Sequence, residues 1–350
     1  AVRLMRRVPL PLPGLLWGLC ALTKPEPALA ALAGCAAAGR LRGPRAAAFA
    51  GAALVAPLGA WVLLVPAAGW AAAARGVAGS WLAPLADPQG MAAFYGSGFA
   101  ASPLAVFSLD WLEWARALPV LVAALAWRWR SRALLGLCAF ALVLLAKIFF
   151  AARIHQYGFT LAAPAAALLA AAAVARWRAR KARVVGVVAA CCVLGVLRSQ
   201  WRAEARTFRL WGGGDAFLCD PRGRVLATVL ERLPGFVGRE GTLAVWPEGA
   251  MLNYLARRRN PTPYLNLLPV ELAVWGEAEV LAAYRRAPPD AIVLVHRETP
   301  EFGRRFFGTD YGRDLLAWAR REYVETGGVG DPPFEPGSVF GARLLLRRPR

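Results

Sequence analysis

Ionisable residues set inside apolar sequence are the ones whose types and spacing suit chemistry in this chain. Lys24 and Glu26 sit in the run Thr23-Lys24-Pro25-Glu26-Pro27, in the middle of an apolar stretch over 14–38. An ionisable residue at membrane depth is costly and functional by default. Arg153, His155 and Tyr157 share a short turn between two later apolar stretches. Arg and Tyr at such a turn also serve as plain interfacial anchors. Farther on, Glu248 and His296 follow two strand-like runs, and Phe307-Gly308-Thr309-Asp310-Tyr311-Gly312 offers a tight loop with an acid and an aromatic. Ligands of open α/β sheets favour the carboxyl ends of strands, so Glu248, His296, Asp310 and Tyr311 form a possible ligand site in one crevice. Each also has a structural reading: an acid near a helix start meets a favourable dipole, and glycine-rich turns simply turn. Arg257, Arg258 and Arg259 read as a solvated helix end.

Several chemistries are excluded. The chain has two histidines, His155 and His296, so a histidine-rich metal centre is ruled out and no metal ligands are assigned. A carboxylate-bound divalent metal stays open. No GxGxxG follows a strand, and no GxxxxGK[ST], HExxH, CxxC or GxSxG motif occurs, which speaks against nucleotide and flavin cofactors and against a serine hydrolase. Five of the six cysteines (Cys20, Cys35, Cys138, Cys191, Cys192) lie in apolar segments and only Cys219 in the polar half, so no disulfide framework is indicated.

The elements that must position these residues follow from composition. Hydrophobic residues make up 58% of 350, charged ones 18%, and the mean hydropathy is +0.42. That exceeds what a soluble core of this length uses, so part of the chain belongs in lipid. The net charge of +20 resembles a nucleic-acid signature until it is divided. Residues 205–350 hold 21 Arg against 17 acids, a net of +4, and residues 1–204 hold 21 Lys and Arg against 5 acids, a net of +16. The excess sits on the apolar half, where membrane topology is its natural cause and a nucleic-acid partner is not.

Apolar segments fall at about 14–38, 46–70, 117–127, 132–152, 157–175 and 184–200. Arginine clusters at 40–45, 128–132 and 176–183 go together on the cytoplasmic side. This places the loop 71–115, the turn 153–157 and everything after about residue 201 on the opposite side. The 14–38 segment has basic flanks at both ends (Arg3, Arg6 and Arg7 before it), so it reads as a re-entrant hairpin broken at Pro25 and Pro27. The other reading is one ordinary span with Lys24 and Glu26 paired structurally. The chain opens Ala-Val-Arg, and it is expected to be the later part of a longer polytopic protein.

Residues 205–350 have the texture of a soluble α/β domain. Strands are expected at 242–246, 291–295 and 338–346, and helices at 250–258, 277–286 and 314–324. The first two strands with intervening helices imply a right-handed parallel crossover. The expected architecture is therefore a polytopic α-helical membrane bundle over 1–204, followed by an extracytoplasmic α/β domain over 205–350.

Three features resemble the C-terminal part of GT-C membrane glycosyltransferases, in the protein-O-mannosyltransferase and aminoarabinose-transferase-like group (family 39). Gly14-Leu-Leu-Trp-Gly-Leu-Cys-Ala-Leu-Thr-Lys-Pro-Glu26 is similar to that group's "GLLLGLALLTK" segment. The stretch 147–164, with Arg153, His155, Gln156 and Tyr157 before Gly-Phe-Thr-Leu-Ala-Ala-Pro, is similar to its "R-Y-x-L-P-x-x-P" start of a late helix. The order of bundle then extracytoplasmic domain is the third. The resemblance implies an enzyme of the bacterial inner membrane that moves a sugar from a polyprenyl-phosphate donor to a lipid, glycan or protein acceptor. On that basis Arg153, His155, Tyr157 and Lys24 become candidate donor-phosphate ligands, since the leaving phosphate needs a cation near the membrane boundary. The group's catalytic acid lies in an early loop with no counterpart here, which puts it upstream of Ala1 and leaves the base unassigned; Asp87, Asp110 and Glu113 read as paired or solvated. Two other readings stand: a transporter or flippase of lipid-linked sugar, and a non-catalytic glycan-binding membrane protein.

Overall fold

The computed structural model describes residues 11–39, 41–100, 132–145, 208–212 and 214–349. The third, fifth and sixth apolar segments lie outside the described residues. The chain divides into two compact units, 1–82 with 95–203, and 83–94 with 204–350.

The first unit carries helices α1 (Pro11–Thr23), α2 (Pro25–Ala37), α3 (Pro44–Ala68), most of α4 (Trp70–Ala86) and α6 (Arg132–Leu145). Among the described residues, α3 is the helix long and apolar enough to cross a membrane, by length and composition. Its 25 residues rise about 37 Å, against about 30 Å of hydrocarbon. It exposes Val55, Leu58, Val62 and Leu63, the last at 81%. A helix that shows water this much continuous apolar surface would aggregate, whereas lipid accepts it. α1 and α2, at 13 residues each, rise only about 20 Å.

Small residues let these helices meet. A Cβ on Gly14 would collide with the Phe49 carbonyl oxygen, and one on Gly18 with that of Ala53. Pro57 explains the second contact: lacking an N–H, it cannot bond the carbonyl four residues back, so the Ala53 oxygen is left for the Gly18 backbone to approach. The offset is 35 residues in both contacts, so α1 and α3 run parallel. α2 meets α6 the same way, with the Cβ position of Gly34 2.8 Å from the Gly136 oxygen.

The second unit has a two-stranded antiparallel hairpin, β1 (Phe208–Gly212) and β2 (Asp215–Cys219), and a four-stranded mixed sheet. The sheet comprises β3 (Leu243–Trp246), β4 (Ala291–Val295), β5 (Tyr323–Gly330) and β6 (Gly341–Arg347), in the order β3-β4-β6-β5. β3 and β4 pair in parallel, and β6 runs antiparallel to β4 and β5. The crossover from β3 to β4 holds α8 (Ala250–Ala256), α9 (Pro269–Trp275) and α10 (Glu277–Arg286). α7 (Gly223–Arg232) precedes β3, and α11 (Arg313–Glu322) precedes β5.

Strand alternation splits the core into two layers. Ala244, Trp246, Ile292 and Leu294 face α10 and α11, where Trp246 packs on the rings of Tyr284, Phe307 and Trp318. Leu243, Val245, Ala291, Val293 and Val295 face α7 and α8, against Val229, Leu233 and Leu252.

Two readings need correction. The stretch 71–115 is not a plain loop in its described part: α4 and α5 (Pro88–Ala100) occupy it. An alanine run at 71–74 favours the first, and Asp87 caps the second, its Oδ1 accepting from Gly90 N–H at 3.0 Å with Pro88 at the first helical position. The helix expected at 314–324 ends at Glu322, because Tyr323 and Val324 already pair with β6. The strand β5, not expected from the sequence, runs through Gly327-Gly328.

Candidate functional site

The break at Lys24 follows from its prolines. Pro25 and Pro27 have no N–H to donate to the carbonyls of Ala21 and Thr23, so the α1 ladder stops. Lys24 takes extended backbone (φ −154°, ψ 135°) and its N–H still reaches the Cys20 oxygen at 2.9 Å. The orphaned Ala21 carbonyl accepts from the Trp81 indole at 2.9 Å, and Trp17 donates across the break to Ala28 O at 2.7 Å. α2 then opens with Glu26 in its first turn, where the helix dipole favours an acid. Carrying the α1–α3 offset forward sets Lys24 level with Gly59, near the middle of α3. Lys24 is half-buried. Arg153, His155 and Tyr157 lie outside the described residues.

At the carboxyl ends of β3 and β4 the four candidate residues part company. Glu248 is exposed and accepts from Arg297 Nε at 3.2 Å, while Arg297 Nη2 bonds Glu301 at 2.7 Å. Tyr311 reaches the same end from the loop before α11. Its side chain is buried, its hydroxyl makes no hydrogen bond of good geometry, and Thr299, Arg297, Glu301 and Glu248 surround it. Burial pushes its pKa up to about 12. His296 instead faces the core. Its Nδ1 accepts from Phe334 N–H at 3.0 Å, its ring lies 6.4 Å from that of Phe306, and Nε2 is 3.8 Å from Glu298, which Arg305 holds through two bonds. Asp310 closes its own loop, Oδ2 accepting from the backbone of Arg305 and Phe306 at 2.8 Å each. The structure thus leaves Glu248 exposed in an ion pair and buries Tyr311, and commits His296 and Asp310 to structural bonds.

A sequence reading passes over Arg297 and Glu301, because loop charges carry no periodic signal, and over Glu271, in the first turn of a helix of seven residues. Glu271, at the start of α9, has a buried Oε2 without a partner. Burial raises its pKa, and the charge of Glu248 adds to the rise. This end of the sheet therefore holds an exposed ion chain, Glu248–Arg297–Glu301, and two buried oxygens without hydrogen-bond partners, on Tyr311 and Glu271. Such a set suits a neutral hydroxyl-bearing ligand better than a phosphate, since its carboxylates outnumber its one cation. The described residues contain no group of three or more His, Cys, Asp or Glu arranged to hold a metal.

Asp87 is 4% exposed and takes two bonds from Arg304, at 2.9 and 3.1 Å. Phe94 stacks on Phe302 at 5.3 Å, so 83–94 is fastened to the loop before α11 by charge and by ring. The chain matches no model of a known protein family, no curated protein and no solved structure.

Proposed function

We propose that this protein is an integral-membrane glycosyltransferase of the group its sequence resembles. It is multi-pass, sits in the bacterial inner membrane, and moves a sugar from a polyprenyl-phosphate donor to an acceptor on the extracytoplasmic face. The observation that carries the reading is the proline-broken element at Lys24. α1 and α3 run parallel with α2 between them, which supports the re-entrant hairpin suggested by the basic flanks of 14–38. A polar tip is thereby held level with the middle of a helix long enough to cross lipid, where non-helical backbone serves a buried site or a watery cavity. The Asp87–Arg304 pair adds a constraint. It ties 83–94 to the loop before α11 within one compact unit, which supports a charge-derived topology that groups 71–115 with the region after 201.

On this reading Lys24, with Arg153, His155 and Tyr157, neutralises the donor phosphate as it leaves. Glu248, exposed at the carboxyl end of β3, is the group there that would meet a hydroxyl-bearing acceptor. The test is sugar release from a polyprenyl-phosphate donor by the purified full-length protein in detergent. Lys24→Ala and Arg153→Ala should each lower the rate by about 10²- to 10³-fold, the usual cost of losing one charge-stabilising contact. Wild-type rates in both variants overturn the assignment. A wild-type protein inert in detergent that moves lipid-linked sugar across vesicles would be a transporter, whose broken helices share this feature.

A further inference from the structure

The β1–β2 hairpin, α7, the turn at 233–239 and the end of α8 enclose a cleft of about 840 Å³, within the usual size of ligand pockets. Leu230, Leu255 and Trp211 supply apolar wall, and Trp211 is 56% exposed. The charges are Arg239, Arg257 and Arg258 against one carboxylate, Glu231.

The arginines differ in what already holds them. Arg257 is ion-paired with Asp215 and lies 4.4 Å over the Tyr254 ring. Arg258 is half-buried, and its Nη1 and Nη2 donate to the carbonyls of Ala256 and Val237 at 2.9 and 3.1 Å. Its Nε is buried with no acceptor, and no carboxylate among the described residues pairs with it. A guanidinium withdrawn from water against carbonyls alone lacks the counter-charge that burial demands. The bond to Val237 also holds it two positions from Arg239, which is exposed and makes no ion pair among the described residues.

We infer that this cleft binds the phosphate of an amphipathic anion, with Arg239 and Arg258 on the phosphate oxygens and the apolar body along Leu230, Leu255 and Trp211. The Arg239 fork together with the Arg258 Nη2 hydrogen left over from Val237 needs more acceptor oxygens than a carboxylate offers, and a phosphate has them. The hairpin begins eight residues after the apolar stretch 184–200, a reach of at most about 29 Å of extended chain. A lipid headgroup is therefore accessible if that stretch spans the bilayer. Occupying the cleft requires no sugar transfer, so its test does not depend on that proposal.

The test is calorimetric titration of the full chain in neutral detergent with short-chain phosphatidic acid, short-chain phosphatidylcholine and inorganic phosphate. Phosphatidic acid should bind at one site, at least tenfold tighter than either of the others. Arg239→Ala and Arg258→Met should each weaken it at least tenfold, and Trp211→Ser should weaken it severalfold. Arg239 is exposed, so its variant keeps the fold even if the Arg258 variant does not. Equal affinity for inorganic phosphate overturns the amphipathic ligand, and equal affinity for phosphatidylcholine overturns the role of the charge. Unchanged binding in Arg239→Ala overturns the site. Loss of sugar transfer with binding intact bears only on the proposed function.

Discussion

The helical unit and the α/β unit satisfy the same physical demands with opposite materials. In the helical unit the contacts are made by what is absent: Gly14, Gly18, Gly34 and Gly136 let backbone meet backbone, and large apolar side chains such as Leu63 point outward. In the α/β unit large side chains fill the interior, with Trp246, Tyr284, Tyr323 and Phe307 nearly inaccessible. Water rewards the second arrangement, because burying a Trp or Phe removes apolar area from solvent. Lipid gives no such reward, so close packing and hydrogen bonding decide. The indoles follow the same division. Trp17 and Trp81 spend their N–H groups on helix carbonyls in the first unit, whereas the Trp246 N–H is buried unbonded in the second. In the second unit, area outweighs one missing bond.

If this contrast holds, shortening a core side chain should hurt one unit and enlarging a glycine should hurt the other. Trp246→Ala removes the centre of the ring cluster and should destabilise the α/β unit by about 3–5 kcal/mol, read from its denaturant midpoint by near-UV circular dichroism. A loss below about 1 kcal/mol would mean the cluster is not the core it resembles. Gly18→Leu forces α1 off the Ala53 carbonyl and should cost about 1–3 kcal/mol of helix packing. Thermal unfolding of the full chain in detergent checks it, with Leu63→Ala as the reference that should change little.

Legibility also divides between the units. Strand β4 and helix α10 carry the expected boundaries, because an unbroken apolar run opening after the Pro288-Pro289 turn and a 3.6-residue pattern between Gly276 and Pro288 each leave one solution. The hairpin β1–β2 and helix α7 are not foreseen. Gly212-Gly213-Gly214 hides the turn, and the apolar stripe of α7 is set among arginines. The proline break at Lys24 is plain in the sequence, but its partner is not: Trp81 lies 60 residues away and is recruited by a carbonyl that only the fold leaves unbonded. The crevice is half legible for the same reason. Strand ends single out Glu248 and His296, yet local backbone decides which faces the opening. His296 is turned inward by the Phe334 amide.

That inward turn yields the smallest effect and the clearest sign. Burial is the main cause that lowers the His296 pKa below its ordinary value near 6.5; Arg305 lowers it further, while Glu298 and Asp331 oppose. The neutral ring is the one the fold uses, since Nδ1 must accept from Phe334. Above about pH 6.5 the histidine is neutral in both folded and unfolded chains, so its contribution is complete. Below that value the unfolded chain takes up a proton that the folded one resists, so stability falls as pH drops toward the folded pKa, by at most about 1.4 kcal/mol per pH unit. His296→Asn keeps an acceptor for Phe334 without a titrating ring. Melting curves of the two proteins should therefore agree in shape above pH 7 and separate below 6.5, the wild type losing stability faster. Parallel decline through that window would mean that His296 is as well solvated as a surface histidine, and the inner layer of the α/β unit would then be looser at this end of the sheet than its packing implies.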